Sequence, residues 1–343
     1  MTVPVAVPVH AQLAALSSYL PEAVLTDDDL VAQHPGWDVA RAAASTGVHA
    51  RHVAAPGEWT SHLAAAAVRR LLAEHDLDPA SVDALIVCTQ SPDLVLPATA
   101  CLVQERAGLG SHVAALDVSL GCSGWVYGLA LARGLVETGQ AERVVLVTAD
   151  ALTRLVNPGD PQLRVLFGDA ATAALVTGGA DGPRFLGATF GTDGRGVRHL
   201  LAVNGGLASG EERAPGSSPE ARGLTPSGRD VHMDGPEVFA FTLRTVPGAL
   251  DTCLRRAGLT VDDVDLFVFH QANAVMLESL RRRIGLPREK FMVDLATTGN
   301  TASSSVPLAL QAAVRAGRAG TGDRVALVGF GIGYSWAAVV VRL

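Results

Sequence analysis

The sequence predicts an α/β protein built from two similar halves, each a β-α-β-α-β unit. Two observations support this fold class. The 343 residues are rich in Ala, Val, Leu and Gly, with 48% hydrophobic and only 5% aromatic residues, a composition typical of a well-buried α/β protein. In addition, two segments of the first half recur in the same order in the second half, which indicates an internal duplication.

The duplication rests on two pairs of segments. Residues 77–91 and 259–273 each contain a short acidic turn, then Val-Asp, an apolar strand and a polar residue at the strand end. Residues 142–150 and 323–331 form the second pair of strands. Each strand follows a predicted helix, at residues 63–75 and 126–137 in the first half and at 246–257 and 306–315 in the second. Chance similarity between Ala/Val-rich strands could explain one such pair. Two pairs in the same order favour an internal duplication instead.

The near-continuous apolar strands require a parallel or mixed sheet with helices on both faces. We therefore expect one compact body with two sheets and a shared layer of helices between them. The two halves are assigned to residues 1–178 and 179–343, and their joint lies near residues 178–183. Residues 204–229 are rich in Gly, Pro, Ser and Glu and have no apolar periodicity, so we expect a long surface loop there.

Charge and composition exclude several classes of protein. The net charge of −7 and the lack of a dense basic cluster argue against nucleic-acid binding. No apolar run reaches membrane-spanning length and the first ten residues lack the basic region of a signal peptide, so we expect a cytoplasmic protein without membrane contact. The four cysteines form no CxxC pair, and the Gly-rich segment 329–336 leads into a strand rather than a helix. We therefore expect neither a metal nor a cofactor.

Three polar residues lie where predicted strands end, which is the usual place for working residues in α/β folds. Cys122 joins an apolar strand to a helix, His270 ends the strand at 266–269, and Asn300 precedes the helix at 306–315. The duplication places Cys122 and Asn300 at matching positions, so we expect one shared cavity. The free N–H groups at the helix start are expected to lower the pKa of Cys122. Iodoacetamide should then modify it before Cys88, Cys101 or Cys253, which are expected to be buried.

A Cys, a His and an Asn in one pocket have two chemical interpretations. In a cysteine hydrolase the His is the base and the Asn orients it, and the pocket is open to water. In an acyl-transfer enzyme the Cys carries the acyl group and the pocket is dry, because water would destroy the thioester. Each residue also has a purely structural explanation: a buried thiol, a strand-end histidine and a turn asparagine.

The motifs together resemble a known family. Cys-Ser-Gly at 122–124, His-Gln-Ala-Asn at 270–273, Gly-Asn-Thr at 299–301 and the Gly-rich segment at 329–336 resemble the β-ketoacyl-acyl-carrier-protein synthase III family of the thiolase superfamily. The resemblance runs almost end to end. It implies a thiolase-like fold, in which two duplicated βαβαβ-type halves form a five-layer αβαβα body. It also implies a homodimer in which the strand near Ala114–Val118 pairs across the two-fold axis.

The resemblance implies a function for these residues. An acyl group from acyl-CoA or acyl-carrier protein is loaded onto Cys122, and His270 and Asn300 hold the carbonyl of a malonyl thioester that decarboxylates and condenses with it. The backbone N–H groups of Cys122 and Ile332 form the oxyanion hole. The implied substrate- and CoA-binding residues are Trp37, Arg41, Leu96, Arg154 and Asn273.

Several positions depart from the family pattern. Ile332 replaces a Gly in the Gly-rich loop, Pro236 replaces an Asn, and Leu96 stands where some members have a Phe that closes the acyl pocket across the dimer. These changes concern the substrate rather than the acylation of Cys122. An alternative function is therefore acyl transfer to a hydroxyl or amine in secondary metabolism, without decarboxylation. A non-catalytic partner subunit would not need the complete Cys, His and Asn set.

Overall fold

The computed structural model describes residues 9–179, 182, 184–202 and 230–343. The predictions for the first eight residues and for the loop at 204–229 concern residues outside this described part. Within it, the chain forms two five-stranded sheets, two small two-stranded sheets and helices that cover both faces of the large sheets.

The elements before residue 180 belong to the first large sheet and its surroundings. In chain order they are β1 (His10–Tyr19), β2 (Val24–Thr26), α1 (Asp27–Gln33), α2 (Val39–Thr46), β3 (Ala50–His52), α3 (Thr60–Glu74), β4 (Ala84–Cys88), α4 (Thr99–Arg106), β5 (Ala114–Val118), α5 (Gly124–Glu137), β6 (Arg143–Asp150), α6 (Pro161–Arg164) and β7 (Ala170–Gly179).

The elements after residue 184 belong to the second large sheet and its surroundings. They are β8 (Phe185–Thr192), β9 (Leu200–Leu201), β10 (His232–Met233), α7 (Gly235–Ala257), β11 (Leu266–Phe269), α8 (Ala274–Ile284), β12 (Phe291–Met292), α9 (Ser305–Arg315), β13 (Arg324–Gly331) and β14 (Ser335–Arg342).

The two large sheets have the same topology. Their strand orders are β1-β7-β6-β4-β5 and β8-β14-β13-β11-β12. In each sheet the three strands at one end pair in parallel and the remaining pairs are antiparallel. The strands that the sequence paired, β4 with β11 and β6 with β13, occupy equivalent positions. The predicted duplication is therefore confirmed, whereas the exact division at 178/179 stays a prediction.

Each half contains more strands than the predicted β-α-β-α-β pattern. The additional antiparallel strands are β1 and β7 in the first half and β8 and β14 in the second. The strand β7 reads Ala-Ala-Thr-Ala-Ala-Leu-Val-Thr-Gly-Gly, and such an Ala- and Gly-rich run has weak strand propensity. It becomes a strand because it pairs with β6 and β1 on either side, which local sequence does not show.

Five layers stack in the order helix, sheet, helix, sheet, helix. The helices α3 and α4 pack on the outer face of the first sheet, and α7 packs on the outer face of the second together with α8. Between the sheets lie α5 and α9, which are almost entirely apolar on their buried sides. Trp125, Val126 and Leu129 of α5 are at most 1% exposed. This arrangement confirms the αβαβα body that the resemblance implies.

The helix α7 is longer than the helix predicted at 246–257. It begins at Gly235, where the Asp234 side chain accepts a hydrogen bond from the Glu237 N–H at 3.1 Å, a normal helix N-cap. Pro247 lies inside it. A proline is most common in the first turn of a helix, so the sequence placed the start of the helix eleven residues too late. Among the described residues, no helix is long and apolar enough to cross a membrane.

The central helix α5 offers a direct test of the layering. Leu129 is fully buried between the sheets, whereas Leu131 on the same helix is 47% exposed. We expect Leu129→Ala to lower the free energy of unfolding by about 2–5 kcal/mol, because it leaves a cavity between two sheets. Leu131→Ala should change it by less than about 0.5 kcal/mol. Urea denaturation of both variants measures the difference, and equal losses would contradict the position of α5.

Candidate active site

Cys122 lies in the turn between β5 and α5, immediately before the N-cap residue Ser123. Its side chain is 9% exposed. The Gly-rich turn between β13 and β14 approaches it closely: a Cβ at Gly331 would lie 2.9 Å from Sγ of Cys122. Only a glycine lets the backbone come so near the thiol. Ser123 and Ser335 fix the approach through a buried hydroxyl–hydroxyl hydrogen bond of 2.7 Å.

Two backbone N–H groups interact with the sulfur. They belong to Cys122 itself and to Ile332, and both favour the negatively charged form of the thiol. These are the two groups that the family resemblance assigns to an oxyanion hole. Donors aimed at Sγ also lie beside a carbonyl carbon bonded to Sγ, so they can stabilise an oxyanion that forms there.

The expected lowering of the Cys122 pKa is wrong. Burial, together with the nearby carboxylate of Asp150, raises the pKa of Cys122 to about 12, although the two N–H groups act in the opposite direction. A thiolate in apolar surroundings loses its hydration, and the N–H groups near the start of α5 do not compensate for that loss. At neutral pH the residue is therefore a thiol. Cys101, which was expected to be buried, is exposed.

His270 follows β11 and is 3% exposed. Burial lowers its pKa to about 3, so the imidazole is neutral at physiological pH. Its Nδ1 lies 2.6 Å from the hydroxyl oxygen of Ser305, and its backbone N–H donates to the carbonyl of Val328 in β13. The edge of the ring packs against Phe330, with centroids 5.4 Å apart. The ring is thus held in one orientation.

Asn300 is fixed by its backbone and by its side chain. Its N–H donates to the carbonyl of Leu166, and its own carbonyl accepts from the N–H of Gly168. The side-chain Oδ1 accepts from the Ala302 N–H at 3.0 Å, and Nδ2 donates to the carbonyl of Ala272 at 3.3 Å. An amide nitrogen carries two hydrogens, so one N–H of Asn300 is left for a ligand.

One cavity of about 350 Å³ brings the three residues together. Cys122, His270, Asn300 and Ile332 line it, as does Asn273. The rest of its wall is mainly apolar and comes from both halves of the chain, including Leu152, Leu155, Leu166, Phe167, Leu200, Leu201, Val231, Met233, Val238, Phe239, Met276 and Phe330. The predicted convergence of the three polar residues is therefore present.

Four residues at the site were not among the predicted ones. Asp150 ends β6, is fully buried and lines the cavity, and burial raises its pKa to about 6. It accepts hydrogen bonds from the Gln90 N–H at 2.9 Å and from the N–H and hydroxyl of Ser303. Ser304 bonds to Thr148 of β6 at 2.9 Å, and Ser305 bonds to His270.

A sequence signal for these residues does exist. A helix N-cap uses the side-chain oxygen of only one residue. Three consecutive serines at the start of a helix therefore leave hydroxyls for other partners. Asp150 is also the polar end of a predicted strand, like His270. Both signals indicate polar residues near the site, but not their partners, which for Ser303 and Ser304 come from the other half of the chain.

Comparison with known proteins identifies the family. Family models described as "3-Oxoacyl-[acyl-carrier-protein (ACP)] synthase III" and its C-terminal part match residues 116–194 and 254–343. The chain is 38% identical to the β-ketoacyl-[acyl-carrier-protein] synthase III of Caldanaerobacter subterraneus subsp. tengcongensis, with 97% of this chain and 98% of the relative covered. It is 40% identical to the protein of the same name from Symbiobacterium thermophilum, with 96% and 97% covered. The chain belongs to the 3-oxoacyl-[acyl-carrier-protein] synthase III family.

The fold agrees with that family. A crystal structure of a 3-oxoacyl-(acyl-carrier-protein) synthase III superposes with a TM-score of 0.90 at 43% sequence identity, covering 97% of this chain and 100% of that one. The thiolase-like architecture predicted from the resemblance is thereby confirmed, together with the resemblance itself.

Most of the residues that were predicted to bind CoA lie outside the cavity that contains Cys122. Trp37 stacks on His34 with centroids 3.8 Å apart, and Arg41 is exposed. Arg154 donates to the carbonyls of Ala55 and Glu58 and lies 4.8 Å over the ring of Trp59, so its guanidinium already has structural partners.

Asn273 lines the cavity, but its side chain caps α8 by accepting from the Met276 N–H at 2.8 Å. Leu96 is 83% exposed in a single chain. The binding roles of all five residues stay predictions.

Thiol labelling tests the revised ionisation of Cys122. At neutral pH iodoacetamide should modify the exposed Cys101 well before Cys122, because a thiol with a pKa of about 12 has a very small thiolate fraction. The rate at Cys122 should rise about tenfold per pH unit under alkaline conditions. Cys88, which is completely buried, serves as the unreactive control. Peptide mapping that finds Cys122 labelled before Cys101 at neutral pH would show that its pKa is low after all.

Proposed function

We propose that this protein is a ketosynthase that loads an acyl group onto Cys122 and condenses it with a malonyl thioester by decarboxylation. The observation that carries the proposal is the set formed by a thiol, a neutral imidazole and an amide N–H in one mainly apolar cavity. The acyl donor is an acyl-CoA or acyl-carrier protein, and the malonyl group is on carrier protein. Family membership supports this choice of substrates.

In the loading step, Sγ of Cys122 attacks the thioester carbonyl of the donor. The N–H groups of Cys122 and Ile332, which interact with Sγ, stabilise the tetrahedral oxyanion. The carbon–sulfur bond to the donor then breaks, and the proton of the Cys122 thiol leaves with the donor thiol. The products are the acyl-enzyme and free CoA or carrier protein.

In the condensation step, His270 and Asn300 hold the malonyl thioester oxygen. The Ser305 hydroxyl has one proton, for which Nδ1 of His270 at 2.6 Å and the Ala302 carbonyl at 3.0 Å compete. The shorter contact favours donation to Nδ1, and the neutral ring then carries its own hydrogen on Nε2. Nε2–H and the second N–H of Asn300 supply two donors for one oxygen.

These donors stabilise the charge that decarboxylation creates. Loss of CO₂ leaves its bonding electrons on the thioester as an enolate, whose oxygen accepts both hydrogen bonds. The enolate carbon forms a bond with the acyl carbonyl on Cys122, and the bond to Sγ breaks. Sγ leaves as a thiolate and takes up a proton from the solvent, which regenerates the enzyme for the next cycle.

The alternative of acyl transfer to a hydroxyl or amine requires His270 to act as a general base. An imidazole whose pKa is lowered to about 3 by burial is a weak base at neutral pH. It is, however, a good neutral hydrogen-bond donor, so the site suits condensation better. Hydrolysis is disfavoured as well, because the wall around Cys122 is largely apolar.

We also propose a homodimer. β5 is the outermost strand of its sheet, and Leu116 in it is 40% exposed. Leu94, Val95 and Leu96 nearby are 48–83% exposed. A free strand edge beside exposed apolar side chains is suited to pairing with a second copy. The cytoplasmic location and a place in secondary metabolism stay predictions from the sequence.

The function is tested by following carbon dioxide. Asn300→Ala should leave acylation of Cys122 nearly intact but lower release of labelled CO₂ from malonyl-carrier protein by roughly a hundredfold, because one enolate donor is lost. Thr46→Ala is the matched control: it removes a polar group that lines the same cavity but is already bonded to the Ala42 carbonyl, and it should change the turnover number much less.

The same experiment separates the two functions. CO₂ release should match the loss of the acyl group from preacylated wild-type protein. An acyl-enzyme that survives malonyl-carrier protein but is discharged by an alcohol or amine would overturn the condensation mechanism in favour of simple acyl transfer.

A further inference from the structure

Ile332 lies between two glycines in the turn that connects β13 to β14, and its N–H interacts with Sγ of Cys122. Gly333 has a φ of 135°, a backbone conformation that residues other than glycine rarely adopt. Because glycine leaves the backbone unusually free, the direction of the Ile332 N–H must be fixed by contacts of the neighbouring residues. One such contact is the hydroxyl of Ser335, which donates to the Ile332 carbonyl at 2.8 Å.

Tyr334 supplies further contacts on the same turn. It is 4% exposed. Its N–H donates to the Asp193 carbonyl at 2.8 Å, and its own carbonyl accepts from the Asp193 N–H at 2.9 Å. The ring stacks on Phe241 of α7 with centroids 3.9 Å apart. Gly196 leaves room for it, because a Cβ at that position would collide with the ring. The segment that follows β8 therefore encloses the Tyr334 ring.

The hydroxyl of Tyr334 lies beside an imidazole. Nδ1 of His199 is 2.7 Å from the hydroxyl oxygen. Burial, together with the carboxylates of Glu237 and Asp234, raises the pKa of Tyr334 to about 12. The hydroxyl therefore keeps its proton at physiological pH and can donate it to Nδ1. A buried phenol usually has such a partner, because an unpaired buried donor is costly.

The same hydrogen bond joins the turn to the wall of the cavity that contains Cys122. His199 immediately precedes β9, and both residues of β9 line that cavity. The His199 carbonyl is fixed in turn by the Asp234 N–H at 2.7 Å. Neither the side chain of His199 nor that of Tyr334 lines the cavity itself. These two side chains can therefore affect the reaction only through the residues that they hold.

We propose that the hydrogen bond between Tyr334 and His199 is a positioning contact for acyl transfer to Cys122. It keeps the turn in the conformation in which the Ile332 N–H is directed at the oxyanion. Loss of this hydrogen bond then lowers the stabilisation of the transition state and leaves the binding of the acyl donor unchanged. The inference rests on the proposed acylation of Cys122 and adds to it two positioning residues outside the cavity.

The test follows acylation of Cys122 by intact-mass spectrometry over a range of acetyl-CoA concentrations, or of octanoyl-CoA if that donor acylates the wild-type protein faster. Tyr334→Phe keeps the stacked ring and removes only the hydroxyl. It should lower the maximal acylation rate by roughly tenfold, less than the hundredfold or more that complete loss of an oxyanion donor costs. The half-saturating concentration of the acyl donor should not change. His199→Ala should have the same effect.

Three further variants show whether the hydrogen bond itself is responsible. The double variant with Tyr334→Phe and His199→Ala should be no slower than either single variant, because both remove the same interaction. His199→Asn should keep the wild-type rate, since its Oδ1 replaces Nδ1 as the acceptor. Tyr19→Phe is the matched control: it removes a hydroxyl that lies 2.7 Å from Oε1 of Glu58, and it should change neither quantity.

An unchanged maximal rate in Tyr334→Phe and His199→Ala would overturn the inference. So would additive losses in the double variant, or a change confined to the half-saturating concentration. The His199 variants decide the question if Tyr334→Phe is unstable. If no acyl-CoA or acyl-carrier protein acylates the wild-type protein, the proposed function and this inference both fail. Normal acylation of the wild type with unaffected variants contradicts the inference alone.

Discussion

The segment at residues 300–305 connects the two halves of the protein at the active site. Ser303 donates to the buried carboxylate of Asp150, Ser304 bonds to Thr148 in the first sheet, and Ser305 holds the imidazole of His270. Polar groups buried this deeply are costly unless they are all paired. The geometry of the site therefore depends on the three hydroxyls of Ser303, Ser304 and Ser305, each of which has its own partner.

Burial then sets the ionisation of the catalytic groups. The same apolar surroundings keep His270 neutral and Cys122 protonated. In such surroundings a hydrogen bond to a developing negative charge is stronger than in water. The site is thus arranged to stabilise charge that appears during the reaction, rather than to hold a charge at rest. A resting thiol is also less open to oxidation than a thiolate.

The sequence predicted the duplicated architecture and the three polar residues because both depend on local patterns. Apolar runs locate β4, β6, β11 and β13, and polar residues at strand ends locate Cys122 and His270. The pKa of Cys122 could not be predicted, because it depends on burial and on Asp150, which comes from another strand. The strand β7 could not be predicted either, because it is a strand only through its pairing with neighbouring strands. The contacts of Arg154 could not be predicted because its partners lie about a hundred positions away along the chain.

The proposed mechanism depends on His270 acting as a neutral hydrogen-bond donor held by Ser305. Nitrogen NMR of ¹⁵N-histidine-labelled protein tests it most directly, with His270→Gln used to assign the signal. We expect a neutral ring at neutral pH with the hydrogen on Nε2, and loss of this fixed tautomer in Ser305→Ala. An imidazolium signal, or a hydrogen on Nδ1 in the wild-type protein, would contradict it, because His270 would then be charged or would present a base to the substrate.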